Sequence, residues 1–293
     1  MKINCCAFSQ KGTYSKEKNQ DALTIKTALF EQEKIVFAVV CDGVGGLSKG
    51  EIASRMFIRG MESWFYEELS DLLEETKTSL DKEPIRNSTS KVRMQSSYEK
   101  RVMELVEKRW TELFARLHLE ITGYGRLYGI KLGTTAVCLF TIGKRALVMH
   151  VGDSRCYKYD AGRITKMTRD HSFAEEYVKR YGRKYSAGDI SFDKKRYEGA
   201  LTQCIGASGE IAPEVIRDTF SKNCVYLLCT DGFWKKNSSG ELEKMMRKTK
   251  GVYKSLGAPS ERKIERALSS QVGELRGKKE RDDISAVLAA YYL

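Results

Sequence analysis

The sequence predicts an α+β domain, sheets flanked by helices, with residues 1–293 forming one unit. Two patterns lead there. Short continuous apolar runs such as VFAVVC and VYLLCT have the length and composition of strands buried on both faces. Longer stretches carry apolar residues at helical spacing. They follow one another as strands, helices, strands, helices, strand, and the polar loops fall inside that order rather than dividing it.

Strands are predicted near Ile3 to Phe8, Ala22 to Thr27 and Lys34 to Cys41. An amphipathic helix follows, with Ile52, Met56, Phe57, Met61, Trp64, Phe65 and Leu69 on one stripe. Thr76 to Ser90, polar and containing Pro84, reads as an exposed loop. Val102, Leu105, Val106, Trp110, Leu113 and Leu117 mark a second long helix, its aromatic residue belonging to the core. From Gly133 the pattern returns to strands, with Asp160-Ala161-Gly162 as a hairpin turn. His171 to Ala200 is charged and aromatic with little periodicity, which predicts a surface excursion. Strands resume with VYLLCT, two helices occupy Gly240 to Gly273, and DDISAVLAAYYL closes the chain as a strand.

Composition narrows the class. At 41% hydrophobic and 31% charged the chain is globular rather than disordered. Its uncharged apolar runs, such as Ile35 to Cys41, fall far short of the ~20 residues that span a bilayer. MKINCCAFSQKG has no apolar stretch of signal-peptide length, so a cytoplasmic protein is expected. Eight cysteines without a CxxC pair read as free thiols, and His118, His150 and His171 are scattered, which argues against a histidine-based metal site. Of the net charge of +12, the segment from Lys235 to Arg281 supplies +8, with fourteen Lys or Arg against six Glu. With no nucleic-acid-binding signature beside it, the segment reads as a solvated basic face.

The chemistry lies at strand ends. VFAVVCDG closes on Asp42 and Gly43, VYLLCTDG closes on Asp231 and Gly232, and Asp282 with Asp283 opens the last strand. Either Asp-Gly pair alone reads as a turn. Repeated, with a third acidic element, they read as a site, because a buried carboxylate is costly unless it is paired or coordinated. Carboxylates without histidine or thiolate suit hard divalent cations.

KNQDAL, VVCDGVGGLSKGEIAS, LGTTAV, HVGDSRCY, TRDHS, LTQCIG, LLCTDGFW and RDDISAVL occur along nearly the whole chain in the order seen in the protein phosphatase 2C family. The chain resembles its bacterial branch. That resemblance implies a sandwich of two antiparallel β-sheets flanked by α-helices, and Mg²⁺- or Mn²⁺-dependent hydrolysis of phosphoserine and phosphothreonine in proteins. It implies that Asp42 bridges two ions, that the Gly43 carbonyl binds one of them, and that Asp231 and Asp282 bind the other. It places Asp21 behind the ions, holding waters, and gives Asp153 a part in a third, weaker metal site. Two cations so held lower the pKa of a shared water and stabilise the leaving oxygen. Gly133, Thr134, Thr135, His150, Arg155 and His171 read as packing and supporting residues, and His171 to Ala200 falls where the family carries a variable flap.

The chain departs from the family pattern at four places. Lys16 stands where many relatives have a phosphate-gripping arginine, Gln20 replaces a glutamate, and Val44 replaces a histidine. Lys235 replaces a third-metal aspartate, and a cation there weakens such a site. The resulting expectation is an active phosphatase acting on phosphorylated proteins, including the substrates of a bacterial serine/threonine kinase. The alternative is a catalytically weak scaffold that binds phosphoproteins.

Overall fold

The computed structural model describes residues 2–13, 18–31, 33–44, 49–80, 88–182, 199–207, 209–220, 223–249 and 261–292. Ten strands form two antiparallel sheets. The first sheet contains β1 (Lys2–Gln10), β10 (Ile284–Tyr292), β9 (Asn223–Cys229), β6 (Arg155–Asp160) and β7 (Arg163–Lys166), in that spatial order. The second runs β2 (Ala22–Phe30), β3 (Glu33–Cys41), β4 (Ala136–Ile142), β5 (Arg145–Val151) and β8 (Glu214–Thr219). The described helices are α1 (Gly50–Glu67), α2 (Leu69–Leu80), α3 (Ser88–Tyr128), α4 (Phe173–Tyr181), α5 (Asp231–Trp234), α6 (Ser239–Thr249) and α7 (Glu261–Gly277). None is long and apolar enough to cross a membrane.

Strand periodicity explains the apolar runs. In β3, Ile35, Phe37, Val39 and Cys41 face the layer of α1, α2 and α3, while Val36, Ala38 and Val40 face the interior between the sheets. In β10, Ile284, Ala286, Leu288, Ala290 and Tyr292 meet α6 and α7, and Val287, Ala289 and Tyr291 point inward. Each of these strands is therefore apolar on both faces because each has a packed layer on either side. The result is helices, sheet, sheet, helices, the predicted sandwich. The cysteines are free thiols, with Cys41, Cys138, Cys156, Cys224 and Cys229 buried in the strands.

Several elements differ from the sequence expectation. The first helix stops at Glu67, and Leu69 begins a second one. Thr76 to Leu80, predicted as loop, is the end of α2: the stripe Leu69, Leu72, Leu73 continues through Thr76, whose hydroxyl donates to the Leu72 carbonyl at 2.6 Å. Ser88 to Ser90 have helical backbone, and residues 81–87 lie outside those described. Part of the predicted excursion from His171 is α4, started by Ser172 accepting the Glu175 N–H at 3.3 Å and ended by Gly182 at φ 68°. No residue of α4 is buried, so it adds nothing to the core. Residues 183–198 are outside the described set. Strand β8 was also missed: it is a half-exposed edge strand with Arg217 and Asp218 in its middle. The turn Asp160-Ala161-Gly162 is present, with φ of 49° at Ala161 and 83° at Gly162.

Trp64 of α1 and Trp110 of α3 meet edge to face at 5.6 Å, and Phe37 and Phe140 of the sheet lie about them at 5.9 to 6.2 Å. This cluster fixes α1 against β3. Trp110→Ala should lower the unfolding free energy by about 3–5 kcal/mol, read as a fall in the urea midpoint. A loss below about 1 kcal/mol, ordinary for a surface position, would show that the cluster does not anchor the helical layer.

Candidate metal centre

β3 and β9 lie in opposing sheets, and their C-terminal ends bring Asp42 and Asp231 together. The Asp42 backbone is held from both sides. Its N–H donates to the Thr135 hydroxyl at 3.0 Å, and its carbonyl accepts the Thr135 N–H at 2.8 Å and the Thr134 hydroxyl at 2.9 Å. Gly43 follows, its N–H donating to the Gln20 carbonyl at 3.1 Å. A Cβ there would lie 2.5 Å from the Gly50 carbonyl carbon and 2.7 Å from the Gln20 oxygen, so only glycine lets α1 start this close to the turn. The Asp-Gly pair thus serves close packing as well as turning.

Asp231 is the first residue of α5. Thr230 before it donates its N–H to the Ser285 carbonyl at 3.0 Å and its hydroxyl to Asp21 Oδ2 at 3.0 Å. Asp21, 6% exposed, is thereby drawn under the end of β9. Asp153, 7% exposed, joins from the loop between β5 and β6, its carbonyl accepting the Trp234 indole N–H at 3.0 Å. Sequence positions 21, 42, 153 and 231 thus supply one cluster of carboxylates.

The electrostatics express that crowding. Burial first, then the charges of Asp231, Asp21 and Asp153, push the Asp42 carboxyl well above the usual range. Asp21 is raised chiefly by burial, and Asp153 is pushed up to about 7 by burial and then by Asp231. One buried oxygen on each of Asp21 and Asp231, Oδ1 in both cases, has no hydrogen-bond partner among the described residues. Unpartnered buried carboxylate oxygens in an all-oxygen cluster fit hard divalent cations.

Asp282 sits beside Gly232, where a Cβ would run into the Asp283 carbonyl oxygen. Its Oδ1 accepts the Asp283 N–H at 3.0 Å. Asp283 plays a different part. It accepts the N–H of Gly12 at 2.6 Å and of Gln20 at 2.8 Å, tying the segment before Asp21 to the start of β10. Nothing in the sequence of the doublet distinguishes the two roles. Lys16 lies outside the described residues.

Lys235 enters the cluster from α5. Its ammonium pairs with Asp231 Oδ2, and burial, which works against its charge, is outweighed by Asp231 and then by Asp153 and Asp42. A tethered cation therefore stands among the acids, next to Asp153. Behind them, the Arg155 guanidinium stacks 3.2 Å over the Trp234 ring while its Nε donates to Asp170 at 2.9 Å, which fixes the Asp153 loop.

Two of the histidines scattered in sequence also meet. His150 and His171 stack with centroids 4.8 Å apart, and His150 Nε2 lies 2.9 Å from Glu214. His150, His171 and Glu214 bring three donor atoms within 4.8 Å of one another, a second group whose donor types could take a metal ion. Within the fold the Gly152 N–H donates to His171 Nδ1 at 3.3 Å, His150 Nδ1 is buried without a hydrogen-bond partner among the described residues, and burial, then His171, lowers the His150 pKa to about 4. The trio buttresses the Asp153 loop from the side of β8. Sequence reading found both histidines as supporting residues but not Glu214, because β8 was missed.

A model described as protein phosphatase 2C matches residues 11–270. The chain belongs to the protein phosphatase 2C family. Among curated relatives, the serine/threonine phosphatase stp of Listeria innocua is 25% identical over 219 residues, 74% of this chain and 73% of the relative. The probable protein phosphatase 2C 9 of Arabidopsis thaliana is 27% identical over 168 residues, 54% of this chain and 56% of the relative. The fold matches the crystal structure of the serine/threonine phosphatase Stp1 from Staphylococcus aureus with a TM-score of 0.70 at 19% identity, covering 100% of this chain and 96% of that one. It matches the catalytic domain of the serine threonine protein phosphatase PstP, solved in complex with two manganese ions, with a TM-score of 0.64 at 17% identity over 99% and 98% of the two chains. As in the sequence reading of a phosphatase 2C sandwich, sheets and helices are stacked in four layers.

Protons retained by Asp42, Asp21 and Asp153 compete with a cation for the same oxygens, so metal binding should strengthen with pH. The rise in melting temperature produced by Mn²⁺ should accordingly be small near about pH 5 and much larger near about pH 8. Taking the difference with and without metal cancels the opposing acid sensitivity of buried His150. An equal shift at both pH values, or none, would contradict the assignment of these acids to a cation site.

Proposed function

We propose that the chain is a metal-dependent protein phosphatase that hydrolyses phosphoserine and phosphothreonine in protein substrates, with residues 1–293 as a single catalytic domain. The observation that carries this is the convergence of Asp21, Asp42, Asp153 and Asp231 from both sheets with unpartnered buried oxygens. Asp42, the Gly43 carbonyl, Asp231 and Asp282 are proposed to hold two Mn²⁺ or Mg²⁺ ions, with Asp153 contributing to a weaker third. Cations bound there supply the positive charge that makes water nucleophilic at neutral pH and stabilises the leaving oxygen.

The chain's own residues account for the rest. Thr134 and Thr135 hold the Asp42 backbone, which sets the direction of its carboxyl. Thr230 orients Asp21 through its hydroxyl. Lys235 neutralises part of the charge around Asp231 and leaves less room for a cation near Asp153. Lys16 is proposed to meet the substrate phosphate as a point charge, where arginine would grip it with two parallel hydrogen bonds. Phosphoproteins made by a bacterial serine/threonine kinase, in the cytoplasm, are the proposed substrates.

Asp42→Asn and Asp231→Asn should each lower kcat on a phosphothreonine peptide by about 100-fold or more, with chelator abolishing the parent's activity. Phosphate release in metal-free buffer would overturn the reading. Absence of release with Mn²⁺, together with retained binding of the phosphopeptide, would favour a phosphoprotein-binding scaffold, in which Lys235 keeps Asp231 from a cation. Lys16→Ala should raise KM several-fold with less effect on kcat, and an unchanged KM would remove Lys16 from the site.

A further inference from the structure

Beside the Gly43–Gly50 contact at the Asp42 turn lies a groove that the reaction as described does not use. It has a volume of about 260 Å³ and runs along the exposed face of α1. Ile52 and Met56, both partly exposed, form an apolar floor, and Lys18, Lys49, Arg55 and Arg59 stand around it. Among the described residues, Lys18, Lys49 and Arg55 have no ion-pair partner. Arg59 has Glu62 nearby, but that carboxylate is engaged by Lys26 at 2.9 Å and the Thr24 hydroxyl at 2.6 Å. Glu51 is the acid in the lining, and it is buried in the first turn of α1.

Placement gives the groove its meaning. Lys49 precedes Gly50, and Gly50 is packed against Gly43 at the Asp42 turn. Lys18 belongs to the segment that leads into Asp21. The groove therefore begins beside the Gly43–Gly50 contact that follows Asp42, and from Lys49 to Arg59 it extends ~15 Å along the helix axis, the reach of four or five extended residues. A substrate whose phosphorylated residue reaches the cluster can lay its neighbouring residues along α1.

We propose that this groove is a substrate-binding subsite that selects acidic residues flanking the phosphorylated serine or threonine. The proposal rests on the phosphatase reading and adds the class of substrate. Charge complementarity favours an acidic chain. The aliphatic floor, with no aromatic residue among the described residues that line it on which a base could stack, favours peptide over single-stranded nucleic acid. Arg55 and Arg59, one turn apart on the same face, are spaced to meet alternate acidic side chains of an extended strand.

The test compares a phosphothreonine peptide flanked by Asp and Glu with the same peptide flanked by Gln and Ser. In Mn²⁺ and low salt, the parent should favour the acidic peptide by about tenfold in kcat/KM, and Arg55→Ala/Arg59→Ala should bring the two within about twofold through KM. Hydrolysis of a small aryl phosphate, which does not reach the groove, should be unchanged. Fluorescence anisotropy of the labelled acidic peptide without phosphate provides a second readout, in which the double variant should bind several-fold more weakly. An undiminished preference or undiminished binding in the double variant would overturn the subsite. So would a single-stranded oligonucleotide that displaces the peptide at equal charge. Should neither peptide be hydrolysed, the phosphatase reading fails while anisotropy still judges the groove.

Discussion

Mutual repulsion among buried carboxylates is the constraint around which this fold is arranged. Asp21, Asp42, Asp153 and Asp231 are brought together from four separated stretches of chain, and burial raises three of them. Such a concentration of like charge opposes folding unless something of opposite sign compensates. Lys235 compensates in part, from the position that caps α5 at its C-terminal end. The unpartnered oxygens of Asp21 and Asp231 mark where compensation is still needed.

Holding that arrangement falls to the layers outside it. The inter-sheet core of Val36, Val40, Leu228 and Val287 fixes β3 relative to β9 and β10, so that the ends of strands from different sheets meet. The helical layer acts through Gly43 and Gly50, where the start of α1 is pressed on the Asp42 turn. On the other flank, Trp234, Arg155 and Asp170 form a stacked, hydrogen-bonded prop under Asp153. Around Asp42 and Asp21 glycines permit close approach, and the hydroxyls of Thr134, Thr135 and Thr230 and the Asn19 amide oxygen satisfy polar groups.

Much of this was legible from sequence because the same physics writes both. A strand buried on both faces is a continuous apolar run, and β3, β9 and β10 were found on that ground, together with the acids that end or precede them. Helices with an apolar stripe were equally plain. What escaped had no such mark: α4 buries nothing, β8 is an edge strand carrying charge, and the last turn of α2 hides behind Thr76, a polar residue whose hydroxyl is satisfied within the helix. In the candidate site, residue types indicated cations, but pairings across the chain were invisible. The contact between Lys235 and Asp231, the meeting of His150 with His171 and Glu214, and the division of labour between Asp282 and Asp283 arise only when the chain is folded.

The groove along α1 follows from the same geometry, since the glycine contact that seats α1 also brings its basic face to the mouth of the cluster. If the clustered acids hold divalent cations, calorimetric titration of chelator-treated protein with Mn²⁺ should show two ions bound per chain near neutral pH, with proton release that grows as the buffer is made more acidic toward the raised carboxyl range. Absence of binding, or binding of the same stoichiometry and affinity in Asp42→Asn, would contradict it.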